Sequence, residues 1–306
     1  TRERKGYLIA ICLLWIIYAA LTIGAPLSQT SARYGINLGM ANLLRVTILI
    51  PYLFIWLSGV IAIFHFRKYI RSIVKSEEEE GFKNILIGIF LLLGTVIVPP
   101  FIGLYSNYNP GVFEVQKIVT ILRNNATVLL YLTSFYYFWK GSGYLLKTLG
   151  DVNKVKLSYL YPLGTITLLG ITYIYIVLNN DYRSVSDSPI IRPTYYLEDV
   201  PIFITVVIPY ILTWLLGLLA ILNIQSLKNS VEGVIYKKSF NFLSQGLTLV
   251  IALAISLQFL SQATVPLSNA NLQIVLLLVY AILFSLSVSY WLLARGAKSL
   301  NAIEKI

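Results

Sequence analysis

The chain has 306 residues with 57% hydrophobic side chains, only 12% charged and a mean hydropathy of +0.75. A soluble domain carries roughly a quarter charged residues, so this composition excludes one, and 13% aromatics exclude a disordered chain. The net charge is +11, and the single cysteine (Cys12) and single histidine (His65) exclude an intrachain disulfide, a bis-histidine haem and a typical zinc site.

Eight apolar runs follow in chain order: 7–24, 43–66, 84–104, 117–139, 157–179, 200–223, 239–260 and 272–294. A bilayer core needs roughly 20 apolar residues per helix, and its backbone groups must be satisfied within the segment. Stretches such as Ile121–Leu132 do not alternate, which excludes barrel strands. The first run follows Arg2, Arg4 and Lys5 but lacks a clean small-residue cleavage site, so it reads as a first transmembrane helix and not a signal peptide. The expected fold is an all-α polytopic membrane protein with eight spans.

Orientation follows from the basic residues. With an even span number both termini share a side, and 18 of the 24 Lys and Arg residues fall there. The positive-inside rule makes that side cytoplasmic, in the plasma membrane. The net charge is therefore a topology signal that also suits anionic headgroups; scattered over short stretches, it is no argument for nucleic acid. The expected partners are the bilayer and other membrane subunits or a second copy of the chain. Glu77–Glu80, the one acidic run, reads as a solvated extension of the second span, or as a docking patch for a cytoplasmic partner.

The second and sixth runs share a string. Pro51, Tyr52, Trp56 and Gly59 recur as Pro209, Tyr210, Trp214 and Gly217, a constant offset of 158. Phe82 meets Phe240 and Gly88 meets Gly246 at the same offset, and Lys140-Gly141 meets Arg295-Gly296 after a three-residue slip. This points to two four-helix repeats, 1–150 and 151–306. Because each has an even span number, they insert in parallel, related by a pseudo-twofold axis along the membrane normal. The repeated string reads either as a duplicated kink and packing seam or as a kinked helix pair flanking a central cavity.

Candidate chemistry is sparse. No Asp or Glu lies in the middle of a run, and no Walker spacing occurs. No catalytic residue, metal ligand or cofactor is expected. Lys140-Gly141-Ser142-Gly143 reads as the end of the fourth span, and the aromatic run from Tyr131 to Trp139 as an interfacial belt or a ligand contact surface. The unusual intramembrane group is Arg123-Asn124-Asn125 with Thr127, and Arg45, Glu198 and Asp199 lie on the same outer side. It reads as a snorkelling arginine, as hydrogen-bonding glue, or as the lining of an outer ligand cavity. Three functions stay open: a binding, sensing or scaffold subunit without catalysis; a transporter or channel for a neutral or anionic solute or lipid along the pseudo-axis; and, fitting worst, an enzyme on a lipid-linked substrate.

Overall fold

The computed structural model describes residues 2–24, 38–73, 76–108, 113–148, 208–231, 233–255 and 272–301. These form seven helices: α1 (Arg2–Gly24), α2 (Leu38–Ile70), α3 (Ser76–Tyr108), α4 (Phe113–Thr148), α5 (Ile208–Ser230), α6 (Val234–Leu249) and α7 (Leu272–Leu300). A π-helical segment, Val250–Ile255, continues α6. Five helices contain stretches long and apolar enough to cross a membrane: Lys5–Gly24, Val46–Ile70, Glu77–Tyr105, Ile211–Ser230 and Val279–Leu300. The chain is thus all-helical among its described residues, in keeping with a helical integral membrane protein. The runs read as the fourth and seventh spans form α4 and α6 with its π segment, which are not among the five. The side chains of Asn124 and Asn125 in the fourth run and residues 256–260 of the seventh lie outside the described residues. The run at 157–179 lies outside the described residues.

The interior is apolar and aromatic. Trp56, Tyr290, Phe66, Phe82, Phe135 and Phe138 are among the largest fully buried side chains. Around them, α3 packs on α4 and on α2, α4 on α5, α5 on α6, α6 on α7, and α7 back on α2. The outward faces carry Leu13, Ile16, Ile50, Phe90, Leu129, Leu215 and Phe284, all exposed. An apolar exterior around an apolar core suits a lipid solvent, where burial of apolar surface between helices gains nothing over lipid contact. Close backbone approach and interhelical hydrogen bonds must then hold the helices together.

Glycines supply the close approach. A Cβ at Gly59 of α2 would lie 2.7 Å from Leu93 Cδ1 of α3, and one at Gly217 of α5 would run into Ile251 Cδ1 of the π segment. Gly88 of α3 faces the Ser134 carbonyl and Phe138 of α4; Gly246 of α6 faces the Ser289 carbonyl and Leu293 of α7. Gly141 of α4 meets the Gly81 carbonyl of α3, and Gly296 of α7 meets the Ser239 carbonyl of α6. Gly141 therefore does not end the fourth helix, as its sequence context suggested: α4 runs on to Thr148, and the glycine is a packing position within it.

Hydrogen bonds between helices add to this, among them Ser134 of α4 donating to the Gly88 carbonyl of α3 at 2.8 Å. Trp56 Nε1 donates to the Val96 carbonyl of α3 at 3.1 Å. In a regular helix residue 100 would bond that carbonyl, but it is Pro100, which has no N–H. The α2 indole thus satisfies an acceptor that the proline frees. Tyr290 of α7 donates to the Leu92 carbonyl of α3 at 2.5 Å, and Trp15 of α1 to the Leu49 carbonyl of α2 at 3.1 Å.

At the helix ends the acidic run changes its reading. The second helix ends at Ile70, and Glu77, Glu78 and Glu79 occupy the first turn of α3, so the run starts the third helix instead of extending the second. Carboxylates there complement the positive end of the helix dipole. Glu79 also pairs with Lys83 at 2.9 Å, one turn on.

Candidate functional site

Of the outer polar group, α4 carries Arg123, Asn124, Asn125 and Thr127. Arg123 is exposed. Its side chain runs along the α3 backbone, where a Cβ on Gly103 would lie 3.5 Å from the arginine Cδ and 3.6 Å from a guanidinium nitrogen. Gly103 thus gives the arginine arm room to lie flat on the neighbouring helix. Thr127 is buried, but its hydroxyl donates to the Arg123 carbonyl at 2.8 Å, a bond back to its own helix. It shares a face with Arg123 without engaging the guanidinium. The side chains of Asn124, Asn125 and Arg45 lie outside the described residues, as do Glu198 and Asp199 altogether.

The repeated string sits in the interior. Tyr52 is half-buried, its ring edge-on to Tyr18 of α1 with centroids 5.8 Å apart. Trp56 is fully buried and stacks on Phe101 of α3 at 6.2 Å. Pro51 is half-buried within α2. In α5, Trp214 and Gly217 are buried; the side chains of Pro209 and Tyr210 lie outside the described residues. Tyr52 belongs to an aromatic cluster with Tyr18, Trp56 and Phe101, into which the one-turn spacing of 52 and 56 directs it.

The aromatic run on α4 divides by helical period. Tyr131, Phe135 and Phe138 are buried, while Tyr136 and Trp139 are 40% and 39% exposed. One face therefore fills the core and the other matches an interfacial belt. Near the same end, a cleft of about 260 Å³ lies between α3 and α4, lined by Glu77, Glu80, Tyr144 and Lys147.

Two groupings were not legible beforehand. Tyr69 of α2 reaches Tyr236 of α6 at 3.2 Å and Glu78 of α3 at 3.5 Å. Asn301, just past α7, donates to the His65 carbonyl at 2.7 Å and lies 3.2 Å from His65 Nδ1. Both join residues more than 150 positions apart, and no local motif signals them. Among the described residues no group of three His, Cys, Asp or Glu side chains gathers to hold a metal ion.

In comparisons with known proteins, no family model, no curated protein and no solved structure matches the chain.

Proposed function

We propose that the chain is a polytopic membrane subunit that works by binding, as a sensor or scaffold, and not by chemistry of its own. In this reading it is a duplicated bundle of eight spans, with parallel halves at 1–150 and 151–306 and both termini on the cytoplasmic side of the plasma membrane. The run at 157–179 supplies the first span of the second half.

The observation that carries the duplication is a set of paired contacts. Gly59 packs on Leu93, and Gly217 on Ile251; both members differ by 158. Gly88 packs on Ser134 and Phe138, and Gly246 on Ser289 and Leu293; the glycines differ by 158 and their partners by 155. The Gly141 and Gly296 contacts obey the same two offsets. Pairing between the halves is reciprocal as well, α4 on α5 and α7 on α2. A twofold relation makes this demand of an isologous interface: if i touches j, then the equivalent of j touches the equivalent of i. Phe82 stacks on Phe240, its own equivalent, with centroids 6.4 Å apart. A residue that touches its equivalent lies beside the axis.

The same contacts favour a scaffold over a conduit. Phe82, Phe240, Phe135, Leu92 and Tyr290 fill the seam between the halves, where a path along the axis would have to run. Arg123 is exposed and lies along α3 beside Gly103, and it is not one of the residues that fill this seam. Cysteine accessibility tests the reading. Ser134, Ser244 and Ser289 are buried, and Ser→Cys changes volume little, so each is substituted in a Cys12→Ser background. A scaffold leaves all three unreactive toward a water-soluble thiol reagent in native membranes. Modification of Ser134→Cys or Ser289→Cys, with Ser72→Cys as the exposed control, would establish an aqueous cavity and favour transport.

A further inference from the structure

We propose that the cytoplasmic ends of α6 and α7 form a site for one anionic phospholipid, with Arg295 binding its phosphate. Arg295 is exposed, and its guanidinium carbon lies 4.3 Å from the Trp291 ring centroid and 5.9 Å from that of Phe242. Two rings from two helices thus hold the side chain in place. A guanidinium over a ring keeps its N–H groups in its own plane, at the edge, where a phosphate accepts two at once.

Each of the two helices carries a further cation about one turn away. Lys298 follows Arg295 by three residues on α7, and Lys238 precedes Phe242 by four on α6; both are exposed. The contact of Gly296 with the Ser239 carbonyl draws the two backbones together beside Arg295 and Lys238. Neither α6 nor α7 contains an acidic residue. Toward the bilayer centre the Arg295 face continues through Trp291, 40% exposed, to Phe284, 72% exposed. Along a helix these lie about 6 and 16 Å from Arg295. Cation, indole and exposed apolar ring thus succeed one another as phosphate, glycerol region and acyl chain do in a phospholipid.

A comparison between the halves, which rests on the duplication proposed above, makes the site particular to the second. At the offset of 158, Lys237 and Lys238 stand where the first half has Glu79 and Glu80, and Phe242 where it has Asn84. The first-half counterpart has acids at its rim and would repel the same lipid.

The test uses the purified, delipidated full chain in nonionic detergent, titrated with phosphatidylglycerol carrying a pyrene acyl chain and read by energy transfer from tryptophan. Phosphatidylglycerol should bind more tightly than pyrene-labelled phosphatidylcholine. Each cation near a membrane surface is worth about a fivefold change in affinity, so Arg295→Gln should weaken binding about fivefold and Arg295→Gln with Lys238→Gln about 25-fold. Arg295→Lys should fall between wild type and Arg295→Gln, and Lys140→Gln, at the first-half counterpart, should leave binding unchanged. Thermal unfolding identical to wild type shows that the variants are folded. Equal binding of the two lipids, an unaltered affinity in Arg295→Gln, displacement by millimolar inorganic phosphate alone, or an Arg295-dependent dimer that excludes lipid would each overturn the proposal. The titration is read without reference to the duplication, so failure of that reading would remove only the comparison between halves.

Discussion

Gly141→Ala is a sharp test of the packing described above, because the added methyl group meets backbone. Its Cβ would lie 2.6 Å from the Gly81 carbonyl oxygen and 2.9 Å from the Ile85 nitrogen. A carbon rests against a carbonyl oxygen at about 3.3 Å, so α3 and α4 must separate by roughly 0.7 Å. Overpacking of this kind costs about 1–3 kcal/mol, whereas Ala in place of Gly returns about 1 kcal/mol of helix propensity. Because the methyl group meets backbone on the facing helix, the cost falls in the upper half of that range, about 2–3 kcal/mol, and the expected net loss is about 1–2 kcal/mol. Gly296→Ala is the matched control. Its nearest contacts, Leu243 Cγ and the Ser239 carbonyl, are both at 3.1 Å, so the propensity gain should nearly cancel the strain. Both variants would be unfolded by SDS titration in mild detergent, followed by far-UV circular dichroism. A Gly141→Ala protein as stable as wild type, or a Gly296→Ala protein that loses more, would refute the reasoning.

Trp56→Phe should destabilise by about 1–3 kcal/mol, because the Val96 carbonyl is left without its 3.1 Å donor. Adding Pro100→Ala returns a helical N–H to that carbonyl, so the double variant should recover part of the loss in the same titration; strict additivity would contradict the pairing. Arg123→Lys should stay within about 0.5 kcal/mol of wild type, as an exposed side chain lying along α3 would. A loss above about 1 kcal/mol would place the guanidinium in a desolvated network instead.

Long apolar stretches were legible because hydropathy integrates over many residues, and all five structural candidates overlap runs read from the sequence. Helix ends were less legible. Glu77–Glu80 follow Arg67–Lys75 without a Gly or Pro to mark a break, so the start of α3 at Ser76 was hidden. Gly141-Ser142-Gly143 had the composition of a helix end, yet α4 continues because tertiary packing against Gly81 rewards a missing side chain there. The aromatic run on α4 looked uniform as a string, and its helical period separates Phe135 and Phe138 from Tyr136 and Trp139. The link between Trp56 and the carbonyl freed by Pro100 needs the register of α2 on α3, which no local pattern states. In the outer polar group, Arg123 and Thr127 do share a helix face as their spacing implied, but the hydroxyl bonds the backbone. A threonine commonly makes that local choice within a helix.

A parallel duplication with cytoplasmic termini places Ser72 and Ser230 on the same, inner face of the membrane. They differ by the repeat offset of 158, and lie just after α2 and at the end of α5. Each is replaced by cysteine in a Cys12→Ser background, and intact cells are treated with a membrane-impermeant maleimide, then treated again after permeabilisation. Neither cysteine should be labelled from outside, and both should be labelled once the membrane is opened. Labelling of one from outside and the other only from within would make the halves inverted; labelling of both from outside would place the termini on the other face.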